Sequence, residues 1–370
     1  MARPPPALLA ACMRQFALQD RAARKCALPE HALLTASALE MASSAATAAL
    51  HAALLPAHAV VLEIAAGIGA DSVAIAAHAR LLLCCEADDV HARLLAHNLA
   101  LAGVRNAVVL RGRAEQLRDA IRLERIDAVF ADPARRDATH DADDARARSR
   151  RVTNIEDSSP PFSFFESLPE NLPVLVKVAP ASDAPSGWNV STVAAGGECK
   201  EILLHRNLDL PSLCAIDADS GARWIPGAAL SARETMPMAD VPPGSCLIEP
   251  HAAIIRTGAV AQYCREQGCE PIDPRIAYAW SRHDAPASSW HQRFRILHAA
   301  KYQRRALQRL VDELGFGPAT EIKKRGFPET SEEIRARLSL TGTRRGVIFL
   351  TRRGDVHWLL LAERVPAHRP

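Results

Sequence analysis

Aromatic side chains are scarce in this sequence, with Phe 9, Trp 5 and Tyr 3 making 5% of 370 residues. Trp358 is accordingly read as core rather than as a base-stacking platform. No continuous apolar window approaches the ~20 residues of a membrane span, which excludes a spanning helix. No Cys-x-x-Cys pair occurs among Cys12, Cys26, Cys84, Cys85, Cys199, Cys214, Cys246, Cys264 and Cys269. That odd set, partly inside apolar runs, excludes a disulfide scaffold and predicts reduced, buried thiols in a cytoplasmic protein. Ahead of Leu9-Ala10-Ala11-Cys12 the apolar stretch is short and broken by Pro4, Pro5 and Pro6, so no secretory signal is expected. The 14 histidines show no metal-ligand spacing, and no metal is expected. Net charge is nearly absent too, since Lys+Arg 45 against Asp+Glu 42 leaves +3. This excludes a uniformly basic nucleic-acid coat and leaves a local basic patch open.

The composition, 48% hydrophobic and 24% charged, is that of an ordinary soluble globular protein. At ~100–200 residues per domain, its length gives two or three domains. Residues 1–55 are dense in Ala, Leu and Met and predict a helical N-terminal segment closed by Pro56. Alternation follows. Strands are expected at Val60–Ile64, Leu81–Glu86, Ala107–Leu110, Asp127–Ala131 and Val174–Val178, with helices at Asp71–His78, Asp89–Ala102 and Ala114–Arg122. Buried strands alternating with helices predict an α/β fold with a Rossmann-like, doubly wound parallel sheet over 56–235. Cys199–His205, Leu213–Ile216 and Arg223-Trp224-Ile225 are expected to finish that sheet as antiparallel strands. Asp137–Arg151, charged and without an apolar stripe, is expected to be an exposed loop, and Glu234–Gly244 a linker. Two smaller units are expected beyond it, an α+β unit at 241–297 and an α/β unit at 298–366. The last opens with a helix Lys301–Leu314 and closes with strands Gly346–Thr351 and His357–Ala362 around Arg353-Gly354-Asp355.

The sharpest local signal is Glu63-Ile64-Ala65-Ala66-Gly67-Ile68-Gly69-Ala70-Asp71, where the first strand meets a helix. Gly67 and Gly69 carry no Cβ, so the chain can turn tightly and a ligand can touch its backbone. An acid at the strand's end suits an ammonium group rather than a phosphate, and Glu86, ending the second strand, suits the two hydroxyls of a ribose. A dinucleotide site shares the ribose acid but prefers glycine where Ser72 stands. The pattern favours S-adenosylmethionine over NAD. After the third strand, Glu115, or main-chain groups alone, would hold the adenine, because Arg113 occupies the place of the expected acid. The cofactor candidates are Glu63, Ala65, Gly67, Gly69, Asp71, Glu86, Ala87, Glu115 and Asp132.

Asp132-Pro133 ends the fourth strand beside the switch point where ligands collect. Pro133 holds Asp132 extended, aiming it into the cleft, where it could orient or deprotonate an acceptor in line with a methyl group. Asp132, Pro133 and Arg135 are the catalytic candidates.

With these residues in place, the sequence resembles the bacterial class I S-adenosylmethionine-dependent methyltransferases that carry a ferredoxin-like domain and a C-terminal THUMP-like domain. The matching stretches are Ser43–Thr47, Glu63–Asp71, Glu86, Asp132–Arg136, Val176–Pro180, Ile248–Arg256 and Glu321–Pro328. The resemblance implies that 241–297 is ferredoxin-like, without any iron–sulfur cluster, and 298–366 THUMP-like. It also implies methyl transfer to RNA, since THUMP domains bind structured RNA, often tRNA.

The target atom is less legible. Ala134 and Arg135 stand where amino-directed enzymes place a stacking ring, and no cysteine is an obvious nucleophile for pyrimidine C5. Ring nitrogens, or a substrate held by Arg135 and Arg136 on its phosphates, remain open. The terminal unit holds the basic patch that net charge concealed, with Lys323, Lys324, Arg325, Arg344 and Arg345 as RNA-binding candidates. Two alternatives stay beside a tRNA or rRNA methyltransferase: an enzyme acting on a small molecule or protein, and a cofactor-sensing RNA-binding protein without turnover. No membrane contact and no obligate protein partner are expected.

Overall fold

The computed structural model describes residues 5–133, 154–228 and 241–366. Ala134, Arg135, Arg136, the stretch Asp137–Arg151 and most of the expected linker lie outside the described residues. The chain divides into two compact units, Met1–Arg223 and Trp224–Pro370.

The N-terminal segment is helical but interrupted, as α1 (Pro6–Ala23), α2 (Ala36–Met41) and α3 (Ala45–Leu54). Hydroxyls set the restarts. Thr35 Oγ1 accepts the Ala38 N–H and Ser44 Oγ accepts the Thr47 N–H, each capping a new helix. Then come β1 (Val60–Ile64), α4 (Ala70–Ala76), β2 (Leu81–Glu86), α5 (Asp89–Leu101), β3 (Ala107–Arg111), α6 (Ala114–Leu117) and β4 (Ala128–Ala131). They are followed by α7 (Phe162–Glu166), β5 (Val174–Val178), β6 (Asn189–Ala195), β7 (Glu198–Arg206), β8 (Leu213–Asp217) and β9 (Arg223–Trp224).

The sheet order is β3-β2-β1-β4-β5-β7-β6-β8-β9. Strands β1 to β5 pair in parallel, and β7 runs antiparallel to β5. This is the doubly wound sheet expected, with its order reversing between β1 and β4. The carboxyl ends of those two strands therefore border the crevice where such sheets collect ligands. Apolar side chains cover both faces. Val61, Leu82, Phe130 and Leu175 pack on one side, and Val60, Leu62, Val129 and Val176 on the other. The helix expected over Ala114–Arg122 stops at Leu117, and β6 was not anticipated, because Asn189, Ser191 and Thr192 break its apolar pattern.

The second unit holds β10 (Cys246–Pro250), α8 (Ala252–Arg256), α9 (Val260–Glu266), β11 (Glu270–Asp273), β12 (Ile276–Ser281) and β13 (His291–Lys301). It continues with α10 (Arg304–Glu313), β14 (Glu321–Lys324), α11 (Ser331–Arg335), β15 (Val347–Arg353) and β16 (Val356–Arg364). One seven-stranded sheet, β11-β12-β10-β13-β16-β15-β14, runs through it. Strand β13 crosses the junction expected near residue 297, and Lys301 ends that strand rather than opening a helix. Among the described residues, no helix is long and apolar enough to cross a membrane.

Candidate active site

The chain passes from β1 to α4 through a turn whose backbone repeatedly takes positive φ. Ala65 stands at 61°, Gly67 at 59° and Gly69 at 95°. A Cβ on Gly69 would meet Leu95 Cδ1 at 2.8 Å, whereas nothing described lies within 4 Å of one on Gly67. The turn thus packs tightly on one side and opens to space on the other. Register places Ile64 opposite Cys85, so Glu86 ends β2 beside this opening. The Gly67 N–H donates to Glu86 Oε2 at 2.7 Å, and the Asp88 N–H to Oε1 at 2.8 Å. Asp88 in turn caps α5 through the N–H groups of Val90 and His91. Each Glu86 oxygen keeps a second lone-pair direction, which a diol could use. Ala87 is exposed next to it. The Gly112 N–H donates to the Glu86 carbonyl at 2.9 Å, bringing the loop that leads to exposed Glu115 to the end of β2. An open backbone cradle with an acid one strand away fits a nucleoside.

Two cofactor candidates turn inward instead. Glu63 is 1% exposed, and its Oε2 has no hydrogen-bond partner among the described residues. Burial pushes this carboxyl up to about 8, against the pull of the Ser72 and Cys84 side chains and with a smaller push from the Asp71 charge. At neutral pH it is mainly protonated, which does not suit the ammonium contact expected of it. Asp71 is buried in the first turn of α4, and both its oxygens are engaged, Oδ1 by His51 Nδ1 at 2.7 Å and Oδ2 by the Ser43 hydroxyl at 2.7 Å.

From Asp71 a closed ring of buried polar groups runs beneath α3. His51 Nε2 lies 2.5 Å from Glu201 Oε1, and Glu201 Oε2 lies 3.6 Å from Lys177 Nζ. Lys177 Nζ donates to Ser43 Oγ at 3.0 Å, closing the ring, and to Asp132 Oδ2 at 2.8 Å. Strand periodicity explains why Lys177 and Glu201 meet, because on β5 and β7 each alternates with residues of the opposite face and so both lie on one face of the sheet. Burial alone would strip the charge from His51, but Glu201 and Asp71 outweigh it and raise the imidazole to about 10. His51 also holds Asp71 and Glu201 below the usual carboxylate range despite their burial.

Asp132 is the half-buried end of this network. Its N–H donates to the Ile64 carbonyl at 3.1 Å, fastening the end of β4 beside the glycine turn. Buried Pro133 lines a small crevice with Phe162, Lys177, Ala179 and Ser182. The catalytic candidate Arg135 lies outside the described residues. His51, Lys177 and Glu201 were not among the expected site residues. Their signal was a charge inside a buried run, as in Val174-Leu175-Val176-Lys177-Val178. Among the described residues, no group of three or more His, Cys, Asp or Glu is placed to hold a metal ion.

In the second unit the basic candidates separate. Lys323 Nζ lies 2.6 Å from Glu249 Oε2, and Arg325 pairs with Glu249 Oε1 at 3.4 Å. Both also sit over rings, Lys323 on Phe294 and Arg325 on Tyr278. Lys324 is exposed and donates to the Phe327 carbonyl at 3.4 Å. Arg344 pairs with Glu363 at 2.6 Å and is exposed, as is Arg345.

Comparison with known proteins agrees with this architecture. Residues 291–364 match a family model described as THUMP domain-like. An uncharacterized S-adenosylmethionine-dependent methyltransferase of Mycobacterium tuberculosis, found in strains CDC 1551 and H37Rv, is 28% identical over 331 residues, covering 87% of this chain and 85% of its own. The crystal structure of a Porphyromonas gingivalis W83 protein, assigned provisionally as a methyltransferase, superposes with a TM-score of 0.75 at 21% identity. It covers 99% of this chain and 93% of that one. The chain therefore resembles the class I S-adenosylmethionine-dependent methyltransferases that end in a THUMP-like domain.

Proposed function

We propose that this chain is an S-adenosylmethionine-dependent methyltransferase acting on a base in structured RNA, tRNA or rRNA, by direct in-line transfer. The observation that carries the reading is the 2.7 Å contact between the Gly67 N–H and Glu86 at the switch point, beside Asp132. Glu86 would accept the ribose hydroxyls, while Ala65, Gly67 and Gly69 offer backbone to the nucleoside. Ala87 lies along the same edge, and Glu115 or main-chain groups face the adenine. Glu63 and Asp71 support this turn from beneath. S-adenosylmethionine, when bound, supplies an electrophilic methyl group. Asp132 orients the acceptor and takes the proton it loses, with Pro133 holding that carboxylate extended and Arg135 offered to a substrate phosphate. Residues 291–364 would hold the RNA, with Lys324, Arg344 and Arg345 on its phosphates. The nine cysteines suit work in the cytoplasm.

Two measurements test this. Calorimetry with S-adenosylmethionine should give binding by the parent and loss in Glu86→Ala, and no binding by the parent would end the reading. Mass spectrometry of nucleosides from cells with and without the gene should then show one methylated nucleoside missing. Binding without a missing nucleoside would move the proposal to a small-molecule or protein substrate.

A further inference from the structure

The buried ring joins two places that a methyl transfer must hold in register. At one end Asp71 stands in the first turn of α4, directly after the glycine turn. At the other, Lys177 reaches Asp132 at the end of β4. Between them lie Ser43, from the junction of α2 and α3, His51 from α3 and Glu201 from β7. Ser43, His51, Asp71, Lys177 and Glu201 are all buried, at 0–7% exposure. Removing so many charges from water is costly, and apolar packing of the same volume is often no less stable. A cluster of this kind is therefore poorly explained by stability alone. Its geometry offers a different service. Each carboxylate is gripped by at least two of its neighbours, so neither Asp71 nor Glu201 can turn without disturbing the path to Asp132.

We propose that Lys177 and His51 are positioning residues, which hold Asp132 in register with the glycine turn through Glu201, Asp71 and Ser43. The N-terminal helical segment is on this account part of the active centre, since it supplies Ser43 and His51. What the ring positions rests on the methyltransferase reading, whereas the existence of coupling along the ring does not.

The test has one arm for each. For coupling, the ring N–H resonances of His51 are followed by NMR in parent, Lys177→Met and Lys200→Met protein, Lys200 being an exposed lysine on β7 paired with Glu198. The Nε2–H resonance should move in Lys177→Met and stay in place in Lys200→Met. An unmoved resonance in Lys177→Met overturns the coupling. For positioning, S-adenosylmethionine affinity is measured by calorimetry, and single-turnover methyl transfer is measured on total RNA from cells lacking the gene. Lys177→Met should bind S-adenosylmethionine within about threefold of the parent and transfer at least ~100-fold more slowly, as expected when an aligned group is misplaced. Lys177→Arg, which keeps the charge, should recover part of that rate. Transfer at the parent rate in folded Lys177→Met overturns the positioning role. If Lys177→Met does not fold, Lys177→Gln replaces it in both arms under the same criteria. A parent that binds no S-adenosylmethionine sinks the methyltransferase reading alone and leaves the resonance result to decide the coupling.

Discussion

His51 Nδ1 lies 2.7 Å from Asp71 Oδ1, and both side chains are buried. A histidine held near 10 stands well above its free value of ~6.5. The stability it contributes is therefore complete below pH ~6.5 and is lost as pH rises through 10. Asp71 and Glu201 act in the opposite sense. Their lowered values give stability that is present above the ordinary carboxylate range and lost as pH falls below that range through their lowered folded values. We expect His51→Gln to be less stable than the parent by about 3–5 kcal/mol near pH 6, the cost of breaking a buried pair from one side. Thermal melts should show that gap closing toward pH 10, and a gap independent of pH would contradict the charged state given to His51.

Glu63 has the same sign as His51 and the opposite one to Asp71 and Glu201, because its folded value near 8 lies above that of a free carboxyl. As pH rises from 4.5 to 8 the unfolded chain loses this proton before the folded one does, so stability falls across that window and levels off above it. Glu63→Gln mimics the protonated group. We expect it to be more stable than the parent at pH 8 by about 4 kcal/mol, the product of the shift and ~1.4 kcal/mol per unit, and equal to it at pH 4. Calorimetry at pH 7 should find S-adenosylmethionine affinity nearly unchanged, whereas a large loss would restore to Glu63 the ionised, ligand-facing role that its burial argues against.

Gly67 and Gly69 separate binding from folding. Both need positive φ, which costs an alanine about 1–2 kcal/mol. Gly69→Ala also drives a Cβ to 2.8 Å from Leu95 Cδ1, so it should destabilise by more than strain alone. Gly67→Ala meets open space and should cost only the strain, yet its methyl fills the side where the nucleoside is placed. Denaturant melts paired with calorimetry check this. Gly67→Ala should lose cofactor affinity while remaining the more stable of the two, and normal affinity would move the nucleoside away from this turn.

Gly67, Gly69 and Glu86 were legible in the sequence because a turn chemistry and a strand end announce themselves within a few residues. The strands β1, β2 and β5 were legible for the same reason, being short apolar runs buried on both faces. The ring was not. His51 and Glu201 are 150 positions apart, and an alanine-rich helix and an apolar strand each look complete without the other. Only the fold shows that the charge inside each run answers a charge elsewhere. Strand β6 escaped for a related reason, since Ser191 and Thr192 look exposed until β7 and β8 flank them. In the second unit the sequence lists arginines and lysines alike, and the fold distinguishes Lys323 and Arg325 from their neighbours by their shared partner Glu249 and the rings beneath them.

That distinction predicts which cations meet RNA. Lys323 and Arg325 are 23% and 31% exposed, share Glu249 and lie over aromatic rings, so a phosphate would have to compete with contacts already made. Lys324, Arg344 and Arg345 are exposed, and the Arg344–Glu363 pair is of the surface kind worth ~0–1 kcal/mol, which a phosphate can displace. Binding of unmodified tRNA, followed by fluorescence anisotropy over a range of salt, separates the two groups. Lys324→Ala, Arg344→Ala and Arg345→Ala should each weaken binding and reduce the slope of log K against log salt by about 1. Lys323→Ala and Arg325→Ala should leave the slope at its parent value and lower the melting temperature instead, because Glu249 loses a partner. A slope that falls as far in Lys323→Ala as in Arg345→Ala would show that the Glu249 pair opens to the ligand, and would return Lys323 and Arg325 to the RNA-binding set.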